Sequence, residues 1–166
     1  LAHRLTPEQR ELYERLLERT ETHLVKGHAI LLATAVTRTP VDEIATLAHK
    51  LRELYEPAAV FVLVQLNGDI QLVARGTTDV LDVSAIARRF GGGGHGRAAA
   101  ALIRARKLED VRGEILRVLP EIIVASVLVE SLMSVGAQTV RADERITSVV
   151  DRMQRTGHEG FPVVDK

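Results

Sequence analysis

The chain has 166 residues, with 22 Lys and Arg against 22 Asp and Glu; the zero net charge excludes a globally basic nucleic-acid binder but not a local basic patch. Hydrophobic residues make up 46% and aromatics only 3%, with no Trp, so the core must be built mostly from Val, Leu, Ile and Ala. The lack of cysteine excludes disulfides and thiolate metal sites and fits a reducing, cytoplasmic compartment, while Ile122–Val129, the longest apolar run, contains Ser126 and is too short to cross a bilayer. The N-terminus is charged within a few residues, so no signal peptide is visible.

Thr6-Pro7-Glu8-Gln9 fits a helix-opening capping box, with Pro at the first helical position. Leu12, Leu16 and Leu17 mark one face of that helix. Its remainder is charged, so residues 1–26 are expected to be a solvated connecting helix from an upstream domain. Ala29–Val36 reads as a buried strand. Thr39-Pro40-Val41-Asp42 then opens a helix with Ile44, Leu47, Ala48 and Leu51 at helical spacing. Ala59–Leu66 is a Val-rich strand, Asn67-Gly68 a two-residue hairpin turn, and Asp69–Ala74 the returning strand. Asp82 or Ser84 is placed to cap a short helix ending at Phe90. After the glycine run come an expected Ala-rich turn of helix and a short strand at Leu102-Ile103. Leu108–Leu119 is helical by pattern, with Pro120 as its end or a kink. This order predicts an α/β fold over residues 27–120, a mixed β-sheet flanked by helices. Residues 121–166 read as a linker followed by the truncated start of a second unit, with Ile122–Val129 either linker or strand. An α-helix follows, capped by Asp143, apolar at Ile146, Val149, Val150 and Met153, and ended by Gly157. A strand then begins at Phe161-Pro162-Val163-Val164.

The informative stretch is Gly91-Gly92-Gly93-Gly94-His95. Glycine loses the most conformational freedom on folding, so four in a row ask for a close backbone approach. Successive N–H groups free of side chains can make a concave anion site, and a helix starting near Gly96 would add its positive dipole end. His95 and Arg97 can donate charge-assisted hydrogen bonds to a phosphate. Ser84–Lys107 carries Arg88, Arg89, Arg97, Arg104, Arg106 and Lys107 with no acid. Either this is a basic patch around the glycines, or acids elsewhere in the chain balance it. Gly91, Gly93 and Gly96 match the dinucleotide-binding spacing only by accident, since a helix and not a strand precedes them. No Gly-Lys-Ser/Thr follows to make a triphosphatase phosphate loop.

The run Leu81-Asp82-Val83-Ser84-Ala85-Ile86-Ala87-Arg88-Arg89-Phe90-Gly91-Gly92-Gly93-Gly94-His95-Gly96-Arg97-Ala98-Ala99 resembles the signature of the DHH-associated C-terminal domain. That domain follows the Asp-His-His catalytic domain of RecJ-like exonucleases, oligoribonucleases and related phosphoesterases. The resemblance covers roughly residues 20–120. It implies that Gly92, Gly93, Gly94 and His95, with Arg97 beside them, contact substrate phosphate, and that Arg75, after the preceding hairpin, also meets substrate. It also implies that the catalytic metal, manganese or magnesium, is held by a separate domain, so this stretch has no cofactor, no catalytic residue and no turnover of its own. Gly76 stands where the family often has serine, and Ala100 where it usually has glycine.

Leu132-Met133-Ser134, Thr139-Val140, Asp143, Ile146, Met153 and Gly157–Asp165 resemble the opening of a cystathionine-beta-synthase (CBS) repeat, a partial β-α-β unit of an adenine-nucleotide-binding module. The succession of the two resembles bacterial multidomain tRNA nucleotidyltransferases of the poly(A)-polymerase-like group. The expected partner is thus RNA, another single-stranded nucleic acid or a nucleotide phosphate, with no membrane partner. The strand edge at Phe161–Val164 adds an expected homodimer. The competing expectations are an adenine-nucleotide-sensing regulatory piece, a RecJ-, oligoribonuclease- or exopolyphosphatase-like hydrolase domain, and a relative of the C-terminal part of alanyl-tRNA synthetases. The six histidines show no zinc spacing, His49 reads as a core-edge residue, and the glutamates at 8–21 as a solvated helix face.

Overall fold

The computed structural model describes residues 4–127, 132, 136 and 138–165. They form two compact units, Leu1–Ser126 and Val127–Lys166. In the first unit α1 (Pro7–Glu18) is followed by β1 (Thr20–Val25), β2 (His28–Thr37), α2 (Ile44–Tyr55), β3 (Ala59–Leu66) and β4 (Asp69–Gly76). Next come α3 (Val83–Arg89), β5 (Gly93–His95), β6 (Ala98–Ile103) and α4 (Leu108–Ile122). The strands make one six-stranded mixed sheet in the order β1-β2-β3-β4-β6-β5, in which β2 and β3 are the parallel pair, joined through α2. None of the described helices is long and apolar enough to cross a membrane.

Strand alternation divides the core in two. Phe61, Leu63, Leu72, Ala74, Ala99 and Ile103 face α3 and α4, whose Ile86, Val111 and Ile115 are fully covered. Leu31, Ala33, Val60 and Val62 face the other way, onto Leu12 and Leu16 of α1 and the expected quartet Ile44, Leu47, Ala48 and Leu51 of α2. The second layer of helices covers β2 and β3. Beyond it, Gln71, Ala100, Leu102, Gly93 and His95 leave that face of β4, β6 and β5 open to solvent.

The capping box at Thr6 forms as expected, with Gln9 N donating to Thr6 Oγ1 and Thr6 N donating to Gln9 Oε1. The connecting helix expected over residues 1–26 does not extend so far: it stops at Glu18, and Leu12 and Leu16 are buried in the same core as α2. Thr20–Val25 is instead an edge strand. Lys26 and Gly27, both at positive φ (49° and 84°), make the tight turn that pairs it with β2. The alternation of Thr20 and Thr22 with charged neighbours is that of a strand with little to bury, which hides it from hydropathy. The helical turn expected after Gly96 is also replaced by a strand, since Ala98–Ile103 alternates buried and exposed and pairs along β4. Tertiary pairing overrides alanine's helix propensity here. Asp82 caps α3, and Ser84 lies inside it. Pro120 lies within α4 and does not end it.

Glu21 of the edge strand is tied to Arg112 of α4. The Arg112 hydrogen bond holds the Glu21 carboxyl below the usual carboxylate range. A depressed folded value gives stability that is present above the unfolded value, near 4.3, and is lost as pH falls through the folded one. Arg112→Ala should therefore cost up to about 1 kcal/mol at neutral pH. Urea titrations at successively lower pH should show that difference closing once Glu21 is protonated.

In the second unit β7 (Val140–Arg141) pairs parallel to β8 (Val163–Val164) across α5 (Ile146–Thr156), which ends on Gly157 at φ 70°. Asp143 does not cap α5. Its carboxylate is bound by the Arg141 guanidinium instead, and the cap residue, Arg145, gives no side-chain bond. No residue of α5 is buried, and Ile146 is 80% exposed. Residues 123–127 form no strand, while 128 and 129, with Met133 and Ser134 of the expected repeat opening, lie outside the described residues. What ties α5 to its unit is Arg152, which donates to Thr139 O and Glu144 Oε2 at 2.9 Å each and lies over the Phe161 ring, together with half-buried Val149 and Met153. Amide exchange in α5 should thus be much faster than in β2 and β3, whose central residues are fully covered; exchange in α5 as slow as in those strands would show that its apolar face is covered in solution.

Candidate phosphate-binding site

The four glycines do different things. Gly91, at φ 75°, follows the last turn of α3; its N–H donates to Arg88 O at 3.1 Å and the Gly92 N–H to Ala87 O at 2.9 Å. That is a Schellman cap, which favours glycine at the left-handed position. Gly92 and Gly94 lie against β6. A Cβ on Gly92 would stand 2.1 Å from Ala100 O, and one on Gly94 2.3 Å from Ala98 O. Gly93 is in neither situation: its φ is not left-handed, and a Cβ there meets nothing within 4 Å.

The register shows what Gly93 faces. Gly93 stands opposite Ala100, and His95 opposite Ala98, which on its other side stands opposite Arg75. Directly opposed residues of antiparallel strands project to one face. Arg75, Ala98 and His95 therefore form one row across three strands, with Gly93 and Ala100 two residues along, all on the open face. The Gly96-Arg97 turn that joins β5 to β6 is pinned from below. Gly76 N donates to Arg97 O at 2.9 Å, and Val83 N donates to Gly96 O at 2.9 Å.

Two supports expected for the glycine site are not present in the structure. Gly93–His95 is extended, so its N–H groups alternate in direction and do not converge into a concave nest. No helix begins at Gly96, so no helix dipole is directed at the site. The Arg97 side chain is engaged elsewhere, donating from Nε and Nη2 to the two oxygens of Asp79 at 2.9 Å each. These bonds hold the Asp79 carboxyl below its usual range and raise Arg97.

Five of the six basic residues of the acid-free stretch have an acidic partner from elsewhere in the chain. Arg88 pairs with Asp82, Arg89 with Glu121, Arg97 with Asp79, Arg104 with Asp69 and Arg106 with Glu114. Half-buried Arg75, by contrast, makes no ion pair among the described residues. It lines a cleft of about 1240 Å³ between α2 and the ends of β4 and β6, whose wall carries both basic residues, Lys50 and Arg52, and acids, Glu53 and Glu56, beside His49. His49 is not at the core edge as expected but exposed on the cleft wall. Arg52 Nη2 donates to its Nδ1 at 2.9 Å, leaving Nε2–H to donate to Glu53 Oε1 at 3.0 Å. The sequence signal for this was present, since His49, Arg52 and Glu53 lie at helical i, i+3 and i+4 spacing.

A sequence profile described as the DHHA1 domain matches residues 29–122. An A-adding tRNA nucleotidyltransferase of Geobacter sulfurreducens is 35% identical over 161 residues, 97% of this chain. Another, of Aquifex aeolicus, is 35% identical over 109 residues, 66% of this chain. The chain spans only 18% and 13% of those relatives' lengths. Among solved structures, an exopolyphosphatase-related protein from Bacteroides fragilis superposes with TM-score 0.59 at 12% identity, covering 71% of this chain and 36% of that one. The C-Ala domain of Aquifex aeolicus alanyl-tRNA synthetase gives TM-score 0.50 at 19% identity, covering 60% of this chain and 98% of that domain. At those identities the likeness is one of fold.

Proposed function

Because the chain belongs to the DHHA1 domain family, we propose that its first unit binds the phosphate of a nucleic-acid or nucleotide end for a larger cytoplasmic enzyme of the A-adding tRNA nucleotidyltransferase kind. The observation that carries this is the division of labour among the glycines. The fold accounts for Gly91, Gly92 and Gly94 but not for Gly93, which keeps a stretch of open sheet bare beside His95 and the unpaired Arg75. Such a surface lets a phosphate approach the backbone while an imidazole and a guanidinium bind its oxygens. Gly92 and Gly94 contribute by holding β5 in place, and Arg97 by fixing the turn on Asp79.

A resident manganese or magnesium ion does not fit this stretch. Hard divalent cations take several oxygen ligands, and no three His, Asp or Glu side chains converge among the described residues. For the second unit, the parallel β7-α5-β8 arrangement supports a regulatory role as the opening of a CBS repeat.

The test is binding of a short 5′-phosphorylated single-stranded RNA by wild type and Gly93→Val. The Cβ of that side chain enters empty space, so melting is expected to be unchanged while binding is lost. Equal binding by both would overturn the proposal.

A further inference from the structure

At the end of β6 away from Ala98, the surface carries a basic feature that the row of Arg75 and His95 does not use. A shallow recess of about 490 Å³ is bordered by Arg89, Phe90, Leu102, Ile103, Arg104 and Arg106. No acid lines it. The acids that pair with its arginines approach from outside the rim, Asp69 reaching Arg104 only at 4.0 Å and Glu121 reaching Arg89 at 3.7 Å. Exposed pairs of this kind contribute at most about 1 kcal/mol, and the Arg104 side chain is 76% exposed, so a phosphate can compete for it. Arg106 is held more firmly, by Glu114 at 2.9 Å and by stacking 5.6 Å from the centroid of the Phe90 ring. A fixed guanidinium plane beside exposed Leu102 offers a surface on which a base can stack, which a site for bare phosphate does not need.

The recess is also in line with the phosphate row. Its Leu102 wall projects to the same open face as Ala98 and Ala100, four and two residues back along β6, while Ile103 and Phe90 belong to the core beneath α3 and α4, so the recess wraps the end of the strand. Four residues of strand span about 13 Å, and a stacked nucleic-acid strand advances about 3.4 Å per nucleotide. The recess therefore lies roughly four nucleotides from Arg75 and His95, across a floor kept low by Gly93 and Ala100.

We infer that the arginine recess is a distal anchor for a single-stranded nucleic acid whose terminal phosphate sits at Arg75 and His95. Affinity then rises in a step once the strand reaches both. The inference takes its starting point from the phosphate site proposed above.

The test compares 5′-phosphorylated oligoadenylates of two and six nucleotides on the full chain by fluorescence anisotropy. The longer strand is expected to bind about tenfold tighter, the worth of one charge-assisted contact. Arg104→Ala should remove most of that gain while leaving dinucleotide binding and the melting temperature unchanged; Arg106→Ala should also lower the gain without touching dinucleotide binding, but with a small fall in melting temperature from its lost Glu114 and Phe90 contacts. The log–log salt slope should also flatten by roughly 0.7 for each phosphate that the variant no longer neutralises. Equal affinity for the two lengths, or a gain that survives both substitutions, would overturn the anchor. So would an inorganic polyphosphate of matched length that reproduces the whole gain, because charge alone would then suffice. A length gain lost in Arg104→Ala but indifferent to His95→Ala would keep the anchor and reject the phosphate site. Failure of both strands to bind would reject both.

Discussion

Gly94→Ala is expected to cost roughly 2–6 kcal/mol of stability, while Gly93→Ala is expected to be nearly silent. Two effects add at Gly94. Its φ of 143° is in a region essentially restricted to glycine, at about 1–3 kcal/mol for another residue. A Cβ would also come within 2.3 Å of Ala98 O and 2.5 Å of Ala99 Cα. Those are backbone atoms that cannot swing aside, so overpacking adds about 1–3 kcal/mol. For a unit of this size the sum corresponds to a fall in melting temperature of roughly 5–25 °C. Gly92→Ala should behave similarly without the φ contribution, because its Cβ would stand 2.1 Å from Ala100 O. Thermal melts of the three single variants check this. Equal tolerance of alanine at all three positions would mean that β5 does not lie against β6 as described, and the assignment of Gly93 to binding would lose its basis.

What could be read from the sequence was whatever local chemistry determines. Asn67-Gly68 fixed the β3–β4 hairpin because few other dipeptides satisfy two positive-φ positions. The quartet Ile44, Leu47, Ala48 and Leu51 marked the buried stripe of α2 because its period admits one face. β1 was hidden because an edge strand buries little and its residues alternate without a strong apolar face. Only the Leu102-Ile103 end of β6 was legible as strand; its first part was hidden because four consecutive alanines carry helix propensity, and only pairing with β4 makes them a strand. The glycine run was visible as a motif, but its division of labour was not. Which glycine lies against another strand depends on β6, whose path the sequence did not disclose. Pairings between distant residues were likewise out of reach. Arg97 meets Asp79 eighteen residues away, and Arg112 meets Glu21 ninety-one away. The acid-free stretch therefore looked more basic than the folded surface is.

Arg75→Ala and His95→Ala should each weaken binding of a 5′-phosphorylated oligonucleotide by about 1.5–3 kcal/mol, the range for hydrogen bonds to a charged group. That is roughly a 10- to 150-fold loss in affinity. The two residues stand in one row with Ala98 between them, so their backbones are about 10 Å apart across two strand spacings. A long guanidinium and an imidazole can converge on one phosphate over that span, and contacts to a shared group are not additive. The double variant should accordingly lose less than the sum of the single losses, with a coupling of about 0.5–3 kcal/mol. Arg97→Ala provides the contrast. Its guanidinium is committed to Asp79, so the loss should be small and should come with loosening of the turn. Calorimetric titration of wild type and the four variants in one low-salt buffer measures all these quantities. Strict additivity for Arg75 and His95 would place them on different phosphates of the strand, and a loss at Arg97 as large as at Arg75 would show that the Asp79 pair opens when ligand arrives.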